Sequence, residues 1–172
     1  MKRKTIALMV GLIFSMLVFT GCSQQVNSVG TSPNGSEIAI EKAAMKFMKD
    51  YQAGGYKLVS TEDLNKWVSE KKDMIIIDTM PADNFAKGHI PGAVNAVLPK
   101  TGMADATVEQ KAAFIKLLGT DKNKIIVVYC GFVGCARSDV GAVLAVKEGF
   151  TNVYRVPGGS VAWEEAKYAM EK

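Results

Sequence analysis

Two short apolar runs constrain the fold of this chain more than any other feature. Residues 74–78 read MIIID and residues 124–129 read KIIVVY, and neither run alternates apolar with polar side chains. Continuous runs rich in β-branched residues are typical of strands that are covered on both faces, as in a parallel sheet. Weaker strand patterns lie elsewhere, at residues 56–59, 93–97 and 152–156. Helical patterns fill the intervals, at residues 107–118, 136–148 and 160–171. This alternation predicts an α/β layer architecture.

The first 21 residues have the anatomy of a signal peptide. Lys2, Arg3 and Lys4 precede an apolar run that ends near Val18, and that run is shorter than the about 20 residues of a membrane span. Residues 19–22 (FTGC) resemble a bacterial lipobox, which implies cleavage before Cys22 and a lipid on its thiol. We therefore predict a signal peptide over 1–21 and an extracytoplasmic protein of the bacterial cell envelope, anchored to a membrane by its lipid. A transmembrane anchor and a non-lipidated secreted protein are the alternatives.

The positive charge of the chain belongs mostly to this leader. The 172 residues carry a formal charge of +4, which falls to about +1 when the leader is removed. The composition therefore gives no reason to expect a nucleic acid as partner.

The remainder divides into three segments. Residues 22–36 are rich in Ser, Gln, Asn and Gly, which predicts a flexible tether. Within 37–55, apolar residues recur at helical spacing before Gly54 and Gly55, so we expect a helical extension that packs on the domain. Residues 56–172 hold the strand and helix patterns and are predicted to form the domain.

Two segments of that domain resemble the rhodanese family. The first is residues 88–93 (GHIPGA), and the second is residues 149–154 (GFTNVY) followed by Gly158, Gly159 and Trp163. Cys130 follows the 124–129 strand directly, where this family places its nucleophile. The resemblance implies a five-stranded, mostly parallel sheet flanked by helices on both faces. It also implies a sulfurtransferase in which Cys130 carries sulfane sulfur as a persulfide.

Most of the matched residues have structural interpretations. Pro91 and Gly92 form a turn, Gly158 and Gly159 permit a tight backbone, and Trp163 is expected in the core. His89 is the only histidine, and we expect it to hold backbone rather than to act as a base. No cluster has metal-ligand spacing, so neither a metal nor another cofactor is predicted.

The candidate reactive loop is residues 130–135 (CGFVGC), between a strand end and a helix start. Backbone N–H groups and the helix dipole at such a junction would stabilise a thiolate on Cys130. The expected substrates are a thiosulfate, polysulfide or persulfide donor and a thiol acceptor. The residues predicted to bind the donor follow Cys130 along the chain: Gly131, Phe132, Val133, Gly134, Ala136 and Arg137.

This loop departs from the family's pattern, Cys-x-x-Gly-x-Arg-Ser. Arg137 and Ser138 lie two residues further from Cys130, and Phe132 and Val133 make the loop apolar, which favours a less charged sulfur species. Phosphatase and arsenate reductase activities are disfavoured, because their loops need an arginine at fixed spacing.

Cys135 adds a second thiol to the loop. It could resolve an oxidised Cys130, act as a second sulfur carrier or form a static disulfide. A thiol–disulfide redox protein and a catalytically silent rhodanese binding module are therefore alternative functions.

Overall fold

Helices and strands alternate along the computed structural model of the chain, which describes residues 35–172. The helices are α1 (Glu37–Gly54), α2 (Thr61–Ser69), α3 (Ala82–Lys87), α4 (Val108–Leu118), α5 (Ala136–Lys147) and α6 (Gly159–Glu165), with a short 3-10 helix at Met103–Asp105. The strands are β1 (Lys57–Leu58), β2 (Met74–Asp78), β3 (Ala93–Asn95), β4 (Ile125–Tyr129) and β5 (Asn152–Arg155). The predicted signal peptide, the lipidation site Cys22 and nearly all of the predicted tether lie outside the described residues.

The five strands form one parallel sheet in the order β1-β5-β4-β2-β3. The two apolar runs are neighbours at its centre, where Ile76 pairs with Val127 and Asp78 with Tyr129. The predicted fold class is therefore confirmed, and every strand pair in the described chain is parallel.

Both faces of the central strands are buried, which explains why their sequences do not alternate. On one face, Ile77, Ile126 and Val128 pack in a cluster with side chains of α4 and α5. On the other face, Ile76 and Val127 belong to a cluster that includes Trp163 and side chains of α2. The expectation that Trp163 is a core residue is confirmed, since 1% of it is exposed.

The last helix is shorter than the sequence pattern predicts. α6 ends at Glu165. Lys167 has a positive φ of 58°, which lies outside the right-handed helical region. The chain then turns back to the segment before β3, where the backbones of His89 and Glu171 exchange two hydrogen bonds of 2.9 Å. Tertiary pairing of the carboxyl terminus therefore replaces the helix expected over 160–171.

α1 covers residues predicted as the helical extension, and Gly55 follows it in the left-handed conformation (φ 69°, ψ 8°). It packs against α5 beside the sheet.

α3 was not predicted from the sequence; it begins after Pro81, whose fixed φ suits a helix start. None of the helices within 35–172 is both long and apolar enough to cross a membrane.

Candidate active site

The loop 130–135 lies at the carboxyl edge of the sheet, between β4 and α5. Its first residues are fixed by α6, because Ser160 N donates to Cys130 O (2.8 Å) and Val161 N donates to Gly131 O (3.0 Å). Gly159 has a φ of +59°, and a Cβ at this position would lie 2.1 Å from Cys130 O. The expected tight backbone at this glycine is confirmed, and it holds the start of the loop against α6.

The Cys130 thiol is enclosed mainly by oxygen atoms, together with the backbone N–H of Ser138. Only 1% of the residue is exposed, and its Sγ lies 3.2 Å from Ser138 Oγ, 3.6 Å from Cys135 O and 3.8 Å from Phe132 O. Burial and the neighbouring Cys135 raise the pKa of Cys130 well above its ordinary value, although Ser138 acts in the opposite direction. Burial and the facing carbonyl oxygens therefore act against the thiolate that the sequence analysis expects on Cys130.

The pKa of Cys135 shifts in the direction opposite to that of Cys130. It is the residue before the first turn of α5, and both cysteines are free thiols in this structure. The hydrogen bond from the Cys130 thiol lowers the pKa of Cys135 to about 5, and groups of Arg137 and the backbone of Gly131 contribute in the same direction. Cys135 is therefore the more acidic thiol of the pair.

The other predicted loop residues differ in what they offer to a substrate. Phe132 is 56% exposed, whereas Ala136 is buried and has no accessible side chain. Val133 is half-buried, and the half-buried Arg137 lies beside the Cys135 sulfur. Within 35–172, Arg137 Nε is a buried polar atom without a hydrogen-bond partner. The loop thus offers one exposed aromatic ring, and the first turn of α5 holds one N–H donor without a partner in the described chain.

Arg155, at the end of β5, is a site residue that the sequence analysis missed. It is 1% exposed, and its Nε donates to Ser138 Oγ (2.9 Å) while its Nη2 donates to Cys135 O (2.9 Å) and Val133 O (3.4 Å). The available signal was a cation inside the strand pattern of residues 152–156, where a buried charge requires partners.

His89 has a structural role in the described chain, as expected. Its Nδ1 lies 3.1 Å from Phe85 O, and its ring stacks on Phe85 with the centroids 3.8 Å apart. Its Nε2 lies 3.8 Å from a carboxylate oxygen of Glu171. These contacts fix the segment that leads into β3 rather than the cysteine loop. Among residues 35–172, no three His, Cys, Asp or Glu side chains are grouped as a metal site.

A cleft of about 300 Å³ lies next to the loop. Met80 forms part of its wall, and the Met80 Cε would be 3.4 Å from a Cβ placed on Gly131. The wall also includes Ser160, whose N–H holds Cys130 O. Charged side chains of both signs, Lys87 and Glu164, complete the lining together with the buried Asp78. The cleft therefore approaches the loop from the side of β2 and α6.

Comparison with known proteins agrees with this fold. The family description "Rhodanese-like domain" matches residues 60–166, and the chain therefore belongs to the rhodanese-like domain family. A thiosulfate sulfurtransferase GlpE of Pseudoalteromonas translucida is 32% identical over 97 residues, which cover 56% of this chain and 79% of that protein.

More distant relatives share the domain in other contexts. A tRNA uridine(34) hydroxylase of Corynebacterium urealyticum is 30% identical over 134 residues, which cover 69% of this chain but only 41% of that enzyme. The solution structure of a polysulfide-sulfur transferase homodimer from Wolinella succinogenes aligns with a TM-score of 0.55 at 20% identity, covering 78% of this chain and 92% of that one. The latter likeness shows the shared fold.

Proposed function

We propose that this protein is a sulfurtransferase that carries sulfane sulfur as a persulfide on Cys130, with Cys135 as the partner thiol. The observation that carries the proposal is the pair of free thiols on one loop after β4, where the Cys130 Sγ lies 3.6 Å from the backbone oxygen of Cys135. The similarity to thiosulfate sulfurtransferases supports the reaction class. The position of Cys130 directly after the strand matches the place of the family's nucleophile.

The paired thiols suggest how Cys130 becomes reactive. Transfer of the Cys130 proton to the Cys135 thiolate gives a Cys130 thiolate, toward which Ser138 directs its hydroxyl and its backbone N–H. This thiolate attacks the outer sulfur of a donor. A bond forms between Cys130 Sγ and that sulfur, and the bond to the rest of the donor breaks. The bonding electron pair leaves with the donor fragment, which is sulfite when the donor is thiosulfate.

Release of the sulfur follows the same chemistry in the opposite sense. An acceptor thiolate attacks the outer sulfur of the persulfide, and the electron pair of the broken bond returns to Cys130 Sγ. Cys130 then recovers its proton from Cys135, so that no external oxidant or reductant is needed.

The surroundings of the loop favour a donor with one anionic end and an apolar body. Arg137 provides a buried Nε–H without a hydrogen-bond partner, and Phe132 exposes an aromatic ring on the preceding loop. A polysulfide or an organic persulfide therefore fits this loop better than a compact dianion, which would prefer several N–H donors.

Mass spectrometry of the full chain after exposure to thiosulfate or to polysulfide tests the proposal. The wild-type protein should gain one sulfur atom on Cys130, and Cys130→Ser should gain none. Cys135→Ser should still form the persulfide, with an altered lifetime, and Cys22→Ser serves as the matched cysteine control. A persulfide on Cys135 in Cys130→Ser, with turnover retained, would reverse the assignment that we propose.

A thiol–disulfide redox protein is the second candidate. The specific observation in its favour is that two free thiols lie on one loop and their pKa values move in opposite directions, as suits an attacking and a resolving cysteine. Titration against defined thiol–disulfide buffers separates the two functions. Reversible loss of two hydrogens from the pair, without any sulfur uptake from a donor, would favour this candidate.

We also propose that the protein is lipid-anchored at Cys22 and acts outside the cytoplasm. The support is the sequence of residues 1–22, with its basic start, apolar centre and Gly-Cys junction. Labelling of cells with a fatty acid tests this, because Cys22→Ser should lose the label. Equal labelling of both proteins would contradict the anchor.

A further inference from the structure

The buried Arg155 determines how the Ser138 hydroxyl can be used. A guanidinium has only N–H donors, so Ser138 Oγ must be the acceptor of the 2.9 Å bond from Arg155 Nε. The single hydroxyl hydrogen of Ser138 is then free to point elsewhere, and Cys130 Sγ lies 3.2 Å from the same oxygen. In this arrangement the serine donates to the sulfur.

Arg155 also holds the opposite side of the loop. Its Nη2 donates to the carbonyl oxygens of Val133 and Cys135, so one rigid group fixes both the loop and the first turn of α5. Its charge is balanced by Asp50 and Asp139, whose carboxylate oxygens lie 4.0 and 3.8 Å from Nη1. Tyr56 OH accepts a further bond of 3.0 Å from Nη1.

α1 completes the enclosure of this guanidinium. The Phe47 ring lies 4.9 Å from Arg155 Cζ, and Ala43 lies against the loop, where its Cβ would be 3.2 Å from a Cβ on Gly134. α1 lies outside residues 60–166, which the family description matches. The support of the loop therefore includes an element from outside the matched family region.

We propose that Arg155 is a positioning residue for Cys130, which it serves by fixing the Ser138 hydroxyl as a donor to the Cys130 sulfur. This deepens the proposed function and rests on it, since it assigns the group that stabilises the charged Cys130. Arg155 touches neither the substrate nor the reacting sulfur. Substitution of Arg155 should therefore change the ionisation of Cys130 only through the Ser138 hydroxyl.

The test measures the ionisation of Cys130 directly. In the full chain with Cys22→Ser and Cys135→Ser, Cys130 is the single thiol, and its rate of alkylation by iodoacetamide as a function of pH reports its pKa. Ser138→Ala should slow alkylation at neutral pH by about tenfold, the loss of one hydrogen bond to a charged group. Ser138→Thr, which retains the hydroxyl, should restore the rate.

The dependence on Arg155 is measured in the same background. Arg155→Lys should also slow alkylation of Cys130 at neutral pH. The double variant, Arg155→Lys with Ser138→Ala, should be alkylated no more slowly than Ser138→Ala alone. Ser69→Ala, which removes an exposed hydroxyl from α2, is the control and should have no effect. Arg155→Gln is the second variant if the lysine variant unfolds in a thermal melt.

Two results would overturn the inference. One is a Ser138→Ala variant in which the alkylation rate of Cys130 has the same pH dependence as in the parent protein. The other is additive slowing in the double variant, which would mean that Arg155 acts on the thiol without Ser138. Since alkylation requires no sulfur donor, this outcome is separate from any failure of the proposed sulfur transfer.

Discussion

Cys130 and Cys135 are the same residue type at the two ends of one loop, yet their surroundings shift their pKa values in opposite directions. Cys130 faces carbonyl oxygens in a buried position, whereas Cys135 accepts hydrogen bonds. The charge of the pair therefore depends on which groups the folded loop directs at each sulfur, and residue type does not determine it.

The acidity of Cys135 predicts a pH dependence for sulfur uptake. The pKa of its thiol is lowered to about 5, so Cys135 is a thiolate above that pH and is protonated below it. Persulfide formation on Cys130 should therefore decline as the pH falls through about 5, because Cys135 no longer accepts the Cys130 proton. Rapid-quench mass spectrometry across this range measures it.

Cys135→Ser is the control for this profile, because it should lack the acidic decline. The buried Asp78 and half-buried Asp139 carboxyls also have raised pKa values. If the decline persists in Cys135→Ser, one of these carboxyls rather than the thiol is responsible.

Gly159 supports a second prediction at this scale. An alanine there combines a left-handed φ with a Cβ 2.1 Å from Cys130 O, so the loop must move. Gly149→Ala is the matched control, since Gly149 has a φ of +87° and no neighbour within 4 Å of the added Cβ.

Both alanines should lower the free energy of unfolding, the control by about 1 kcal/mol from backbone strain alone. Only Gly159→Ala should abolish persulfide formation. Denaturant titration and mass spectrometry together measure this. Full sulfur uptake by a folded Gly159→Ala protein would show that the contact between α6 and the loop is dispensable.

At the scale of elements, α1 and the cysteine loop are coupled through Arg155. Phe47 is 8% exposed and covers the guanidinium, so Phe47→Ala should lower the free energy of unfolding by about 3 kcal/mol and also reduce sulfur transfer. Met48→Ala, on the same helix but at a residue 46% exposed, should change neither. Chemical denaturation and a sulfur-transfer assay measure the two effects.

Loss of stability with unchanged transfer in Phe47→Ala would limit α1 to a structural role. The reverse result, reduced transfer at unchanged stability, would show that the cover of Arg155 matters more than the buried area.

For the whole molecule, folding depends on a sheet that is covered on both faces. Val127 is completely buried at the centre of the sheet, so Val127→Asp places an unpaired charge in the core and should abolish cooperative unfolding. Val94→Asp is the control, because Val94 lies on the edge strand β3 and is 39% exposed. Thermal melts by circular dichroism compare the variants, and a cooperative melt for Val127→Asp would contradict the assigned burial.

The sequence by itself determined the sheet, its central strands and the place of the cysteine loop. The reason is local: the runs at residues 74–78 and 124–129 need cover on both faces, and Cys130 follows the second run directly. The sequence also identified Gly159 as a site of tight backbone, and in the structure the Cys130 carbonyl oxygen leaves no room there for a side chain.

Only the tertiary structure decided the protonation of the two thiols, the end of α6 and the role of Arg155. Each depends on groups that are distant in the chain. Arg155 lies 17 residues from Ser138 and 99 from Tyr56, and the carboxyl terminus pairs with His89. Hydrogen bonds and burial join groups that meet only in the folded chain. A periodic pattern along the sequence therefore does not indicate which polar groups will face one another.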